Sequence, residues 1–302
     1  MSTENKPHVV EYKKPKTWSV AQVILVLVLS LFVLTCVLPF LNVAALSLSS
    51  KSAILRHDVT LWPVEFTTQA YKVIFSDKSL LWCMVYTIYV TVMYTVIAMI
   101  LTILMAYPLA KKRMHGRKAL NFFALFTMYF SGGTIPIYLN VKSFGMLDTA
   151  WALIIPGVLS TYNMIILRSF FESLPNELEE AATIDGANDF QVLLRVYLPL
   201  SLASIATLTL FYAVGKWNSF ADALYYITER DKQPLQLRLY NIIKGSQSVD
   251  ITEGAASASV QSTVAESIEN ATIIFATLPI LVVYPFVQRY FVSGVTIGAI
   301  KG

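Results

Sequence analysis

The stretch LPNELEEAATIDGANDFQVLLRVYLP, Leu174–Pro199, is the most polar segment inside an otherwise apolar body. Its residues specify two short helices joined by a tight turn. Pro175 suits the first turn of a helix, where its missing N–H leaves no hydrogen bond unmade. Glu177, Glu179 and Glu180 load the N-terminal half with negative charge, which favours the helix dipole. Leu174, Leu178, Ala181 and Ala182 fall at i, i+4, i+7 and i+8, one apolar face with small residues on it. Gly186 stands where a left-handed cap would end the helix. Asn188, with Gln191 three residues on, has the pattern of a capping box that starts a second helix. Apolar positions continue to Leu198, and Pro199 redirects the chain.

What flanks this stretch decides its setting. The chain has 302 residues, 56% hydrophobic and 14% charged, with a mean hydropathy of +0.59. A soluble domain carries about 25% charged residues, and a helix crosses a bilayer with roughly 20 apolar ones. An all-α membrane protein with six transmembrane helices is expected, near 20–46, 80–109, 119–139, 148–169, 200–221 and 268–291. The first run exceeds the about 7–15 residues of a signal-peptide core, so it reads as a retained helix. Lys6, Lys13, Lys14 and Lys16 precede that helix, and Lys111, Lys112, Arg113, Arg117 and Lys118 fill the loop after the second. The excess of Lys and Arg on cytoplasmic loops places both groups inside, with both termini and Leu174–Pro199. The outer loops, 47–79 and 222–267, hold some basic residues too. The expected divisions are a cytoplasmic lead, 1–18; a first helix and outer loop, 19–79; a core, 80–292, with the inner loop 172–199; and a cytoplasmic tail, 293–302.

The net charge of +4 follows membrane topology and does not call for nucleic acid. His8, His57 and His115 lie in a tail and two loops without ligand or triad spacing, and Cys36 and Cys83 differ in depth, against a disulfide. No G-x-x-x-x-G-K-[ST] occurs, so no nucleotide is bound by that route. The first four spans carry no Asp, Glu or His well inside, where ion-driven carriers often place one. Lys216, Asp222, Glu266 and Glu269 sit toward span ends, where snorkelling is the ordinary expectation. This is a conduit without its own fuel, which points to an energy-supplying partner.

Two further groups bear on function. Trp62, Phe66, Tyr71 and Phe75 in the first outer loop read as membrane-surface anchors rather than a binding box. Gly and Pro punctuate FSGGTIPIY at 130–138, IIPGVLS at 154–160, Gly215 and TLPILVVYP at 277–285. Bundle packing explains such residues, and so do broken helices lining a path, since irregular backbone is tolerated where it faces protein or water. Packing is the better account of 277–285, and the two are balanced at 130–138. Sugars stack on aromatic faces and hydrogen-bond to amides and hydroxyls. Candidate path residues are Tyr129, Ser131, Thr134 and Tyr138 around the third span, Tyr162 and Asn163 in the fourth, and Tyr212, Trp217 and Asn218 in the fifth.

EEAATIDGA followed by YLP resembles the EAA loop of binding-protein-dependent ABC importer permeases. The match falls on Glu180, Ala181, Ala182, Gly186, Leu198 and Pro199, with Asp185 inside it. FSGGTIPIYLNVKSFGMLDTAWALIIPG, LFYAVGKWNSFADALYY, PLQLRLYNII and YFVSGVTIGAIKG are similar to the carbohydrate branch, which handles oligo- or polysaccharides. The resemblance implies a type I ABC importer permease fold (MetI-like) in a bacterial cytoplasmic membrane. It implies a second homologous permease, two ATP-binding subunits that carry ATP and Mg, and an extracellular solute-binding lipoprotein or periplasmic binding protein. The chain itself would bind no cofactor or metal, and its partners would include membrane lipid and an oligosaccharide. Residues 293–302 are expected to reach the ATPase subunits. A permease for another solute, an ion-coupled secondary carrier and a non-transporting scaffold are the alternatives.

Overall fold

The computed structural model describes residues 19–252 and 266–285, leaving aside the side chains of 245–252. The expected contact of the tail 293–302 lies outside the described residues. Helix α1, Val20–Ser47, starts with a capping box in which Ser19 and Gln22 bond reciprocally. Its apolar side chains point outward on every side until Ala45 and Ser47, at its far end, are buried. A helix apolar all round suits lipid or a neighbouring helix. Two short helices follow, α2, Lys51–Leu55, and α3, Gln69–Ser76. Between them Glu65 accepts from the Ser50 and Ser52 hydroxyls and the Arg56 guanidinium, which push its carboxyl down to about 2. Trp62 and Phe66 remain exposed as interfacial residues would, whereas Tyr71 turns inward and meets Ser47 at 2.9 Å.

Helix α4, Lys78–Ala110, is the axis of the fold. Asp77 caps it, accepting from the Ser79 and Leu80 amides at 2.9 and 3.3 Å. Its 33 residues extend about 50 Å at roughly 1.5 Å per residue. Around it pack α8, Thr161–Glu172, and α12, Leu202–Asn218, with Ala98, Ala106, Leu167 and Leu208 at the centre of the main core.

The third and fourth expected spans are interrupted, and the fifth is entered through a bend. α5, Arg117–Tyr129, and α6, Thr134–Ser143, meet at 109°, and Gly133 at the bend has φ +84°. α7, Ala150–Ile154, is separated from α8 by Pro156 and Gly157, so 148–169 is two helices rather than one. α9, Asn176–Ile184, and α10, Asp189–Val192, lead into a π-helical turn, Leu193–Tyr197, then α11, Leu198–Leu200. The path bends by 84° before α12. Among the described residues three helices, α1, α4 and α15, Glu266–Pro285, are long and apolar enough alone to cross a bilayer, and the bent pairs raise that number to five. Six crossings require α7 and α8 to act together. Gly215 interrupts nothing, and α15 runs through 277–285 unbroken, as packing would have it.

The second expected outer loop is partly folded. It holds α13, Ala221–Tyr226, and α14, Leu235–Thr252, with Leu235 and Leu237 buried. The Leu235 amide donates to Thr87 of α4 at 2.8 Å, and the Trp82 indole donates to the Asp231 carbonyl at 2.8 Å. Lys216 does not snorkel. Its ammonium is buried 3.1 Å from Asp222 and 5.0 Å from the Tyr94 ring centroid.

Packing around α4 gives a direct expectation. Leu167 is fully buried and Leu29 half-exposed on α1. Leu167→Ala should cost about 2–5 kcal/mol and Leu29→Ala under about 0.5, read as thermal unfolding of the detergent-solubilised protein.

Candidate functional site

The site is the helix–turn–helix of 174–199, and its local structure follows from its sequence. Pro175 is the N-cap residue of α9, and Glu177 and Glu179 occupy the first turn. The helix ends in a Schellman motif: the Ala187 amide donates to the Ala182 carbonyl at 2.9 Å and the Gly186 amide to Thr183 at 3.0 Å. Gly186 has φ +81°, a conformation costly for any residue with a Cβ. The Asn188 side chain accepts from the Gln191 amide and Gln191 answers on the Asn188 amide, both at 2.9 Å. The capping box expected from the spacing is present.

The faces of α9 divide differently from the apolar pattern. Leu174 and Ala182 pack against the core, but Glu180, Ala181 and Leu178 face outward, and Ile184 is 86% exposed. Glu179 faces inward. Its carboxylate accepts from the Lys111 ammonium, and from the Tyr197 hydroxyl at 2.9 Å, with the Arg113 guanidinium at 3.5 Å. Arg113 also pairs with Asp189, tying α10 to the same loop. Lys111 lies over two rings, 3.8 Å from the Tyr197 centroid and 4.4 Å from that of Tyr107. Tyr107, Phe171 and Tyr197 meet edge to face at 5.1–6.4 Å.

Burial raises the Glu179 carboxyl, but the Lys111 and Tyr197 hydrogen bonds outweigh it, so its pKa lies below the ordinary value. Burial pulls the Lys111 ammonium down, and Glu179 opposes this only in part. A depressed carboxylate contributes stability that is complete above its unfolded value and is lost as pH falls through the lower folded value. The clamp therefore persists through neutral and mildly acidic conditions. A second set of contacts joins α5 to α8: Arg117 pairs with Glu172, and Arg168 bonds Asn121. Between the basic loop and α9 lies a cleft of about 860 Å³, reached by Lys112, Arg117, Asn176 and Thr183.

Sequence reasoning assigned the basic loop to topology alone and missed Lys111, Arg113, Tyr107, Tyr197 and Asp189 as neighbours of the acidic helix. The available signal was charge complementarity: a five-residue basic cluster and an acidic helix on the same expected side.

The profile of the family described as binding-protein-dependent transport system inner membrane component matches residues 81–297. The chain belongs to that family. It is similar to the polygalacturonan/rhamnogalacturonan transport system permease protein YtcP of Bacillus subtilis (strain 168), at 42% identity over 91% of this chain and 96% of the relative. Protein LplC of the same organism is 45% identical over 88% of this chain and 90% of its own. Among solved structures it resembles a bacterial ABC transporter involved in the import of the acidic polysaccharide alginate. The TM-score is 0.81 and the identity 33%, covering 91% of this chain and 99% of that one. The all-helical MetI-like permease fold expected from the sequence is the fold of this family member.

The permease's candidate path residues separate into two groups. Tyr129, Ser131, Thr134 and Tyr162 are exposed near helix breaks, and Asn218 is exposed with its amide donating to the Val214 carbonyl at 3.0 Å. Tyr138 is half-buried and stacks on Tyr226. Asn163, Tyr212 and Trp217 are buried. The Tyr212 hydroxyl meets Thr102 at 2.7 Å and accepts from the Ser160 amide at 3.1 Å, and the Trp217 indole donates to the Ala276 carbonyl at 3.2 Å. Among the described residues no group of His, Cys, Asp and Glu could hold a metal ion.

Gly186 separates turn geometry from packing, because a Cβ there would meet nothing within 4 Å. Gly186→Val should distort the turn at about 1–2 kcal/mol of backbone strain and reduce uptake. Gly215→Ala, equally unobstructed and without a positive φ, should leave uptake unchanged. Solute uptake by cells producing each variant checks both.

Proposed function

We propose that this chain is one permease subunit of an ATP-driven importer that carries an acidic oligosaccharide into the bacterial cytoplasm. The observation that carries the reading is the exposed face of α9, Glu180, Ala181, Leu178 and Ile184, held at a fixed angle by the Schellman turn. Such a face suits the groove of an ATPase subunit: small residues permit close approach, Glu180 offers a charged contact, and Ile184 gains from leaving water. Asp185 sits at the helix C-cap beside Gly186, and Leu198 and Pro199 form the turn into α12.

In this reading α9 is the coupling helix, and the basic-loop end of α4 faces the cytoplasm. ATP and Mg bind two partner subunits below, a second homologous permease completes the path, and a solute-binding protein delivers sugar from above. Closure of the ATPases pulls the coupling helices, the permeases rock outward, and hydrolysis resets them. The bent pair α5–α6 and the break between α7 and α8 supply irregular backbone next to a path. The likeness to a polygalacturonan/rhamnogalacturonan permease and to an alginate importer supports sugars that carry carboxylates.

Reconstitution with the ATPase, the second permease and the binding protein tests the reading. Uptake of a uronate oligosaccharide should require ATP, and uptake driven by an ion gradient alone would overturn it. The path has its own check. Cysteines replacing Tyr129, Ser131, Thr134 or Tyr162 should react with a water-soluble thiol reagent in at least one transport state, and those replacing Tyr212 or Trp217 should not. Protection of all the first group in every state would move the path elsewhere.

A further inference from the structure

We propose that Glu179 is a positioning residue for coupling: through Lys111 and Tyr197 it bolts the coupling helix to the end of α4, so that a pull on α9 moves α4. The inference rests on the transport reading above and adds a part to it. Adjacent glutamates take opposite roles. Glu180 faces outward, and the Glu179 side chain is only 18% exposed.

The joint draws on four separate segments. Tyr107 comes from α4 and Lys111 from its C-cap, Glu179 from α9, Phe171 from α8, and Tyr197 from the π-helical turn. Both carboxylate oxygens of Glu179 are used, Oε2 by Lys111 and Tyr197 and Oε1 by Arg113. Arg113 then reaches Asp189, so both helices of the helix–turn–helix are held by one loop. The Tyr107 hydroxyl donates to the Asp189 carbonyl at 3.0 Å, a second tie from α4. π-helical turns occur frequently at functional positions, and this one ends on Tyr197, the residue that closes the joint. With the α9 face left for the ATPase and its back fixed to α4, displacement of α9 has no soft segment in which to dissipate. It passes into the helix that packs against α8 and α12.

The test is made on the complete importer in proteoliposomes, with uptake and ATP hydrolysis measured on the same preparation. Glu179→Gln and Lys111→Met should lower sugar transported per ATP by roughly 2- to 30-fold, the range of coupling changes from such network residues, measured per assembled complex. Tyr197→Phe, which keeps the ring and removes the hydroxyl, should have a smaller effect of the same kind. The exchange Lys111→Glu with Glu179→Lys should recover part of the ratio. A merely structural role would lower uptake and hydrolysis together, in proportion to lost complex, and that result overturns the proposal. So does an unchanged ratio in all three single variants. If the unsubstituted complex fails to couple uptake to ATP, the transport reading itself falls, and the two failures are distinct.

Discussion

The ion pair between Lys111 and Glu179 is the constraint on which the placement of α9 depends. Taking an ammonium and a carboxylate out of water costs several kcal/mol for each ion, and the attraction between them offsets this only when other groups complete the site. Here they do. Two tyrosine faces lie against the ammonium, worth up to about 2 kcal/mol in a desolvated site. Tyr197 and Arg113 occupy the remaining carboxylate positions. Removing one partner of such a pair costs about 3–5 kcal/mol, mostly because the other is stranded. The pair is therefore weak as a source of net stability and strong as a specifier: once the rings and charges are in place, α9 has one position against α4.

The broken helices obey the same logic for backbone groups. A gap in a helix frees amides and carbonyls that have no water to bond in a bilayer. Between α7 and α8 these are met by tyrosines from the two neighbouring helices. Tyr94 of α4 donates to the Gly157 carbonyl at 3.0 Å, and Tyr212 of α12 accepts from the Ser160 amide. Tyr212 resembles a sugar-binding residue by type and depth, yet its hydroxyl is spent on holding the break and on Thr102. At the bend between α5 and α6, by contrast, Tyr129 is 76% exposed and Ser131 and Thr134 lie open. Among the described helix breaks, the bend between α5 and α6 is thus the one left open rather than packed.

These distinctions explain what could be read from the sequence and what could not. Helix–turn–helix 174–199 was legible to single residues, because Pro175, Gly186, Asn188 and Gln191 act through local backbone geometry. Helices α1, α4 and α15 were legible because length and apolarity suffice. The assignment of roles to Glu179 and Glu180 was not. Both sit in the acidic half of one helix, and about 100° of rotation, fixed by Lys111, 68 residues away, with Arg113 and Tyr197, sends one inward and the other out. The bend angles were equally hidden. At 130–138 FSGG left packing and a broken helix equally open, and nothing in it specifies the 109° bend. Lys216 was misread for a related reason: snorkelling is a default for isolated cations near a span end, and Asp222 is six residues further on in a separate helix.

The two buried lysines together describe how α4 is held. At its basic-loop end Lys111 lies over Tyr107 and Tyr197 and pairs with Glu179; at its midpoint Tyr94 lies 5.0 Å from the Lys216 ammonium of α12, which pairs with Asp222. Each joins α4 to a different later element, α9 in the first case and α12 with α13 in the second. From its middle to its basic-loop end the helix is lined by small and hydroxyl side chains, Thr91, Thr95, Ala98, Thr102 and Ala106, which let α8 and α12 approach closely. Small residues at a helix interface in lipid permit tight packing, since no hydrophobic difference drives the helices together there. A helix packed closely along its middle and pinned by charge at its basic-loop end is held to its neighbours over that whole length.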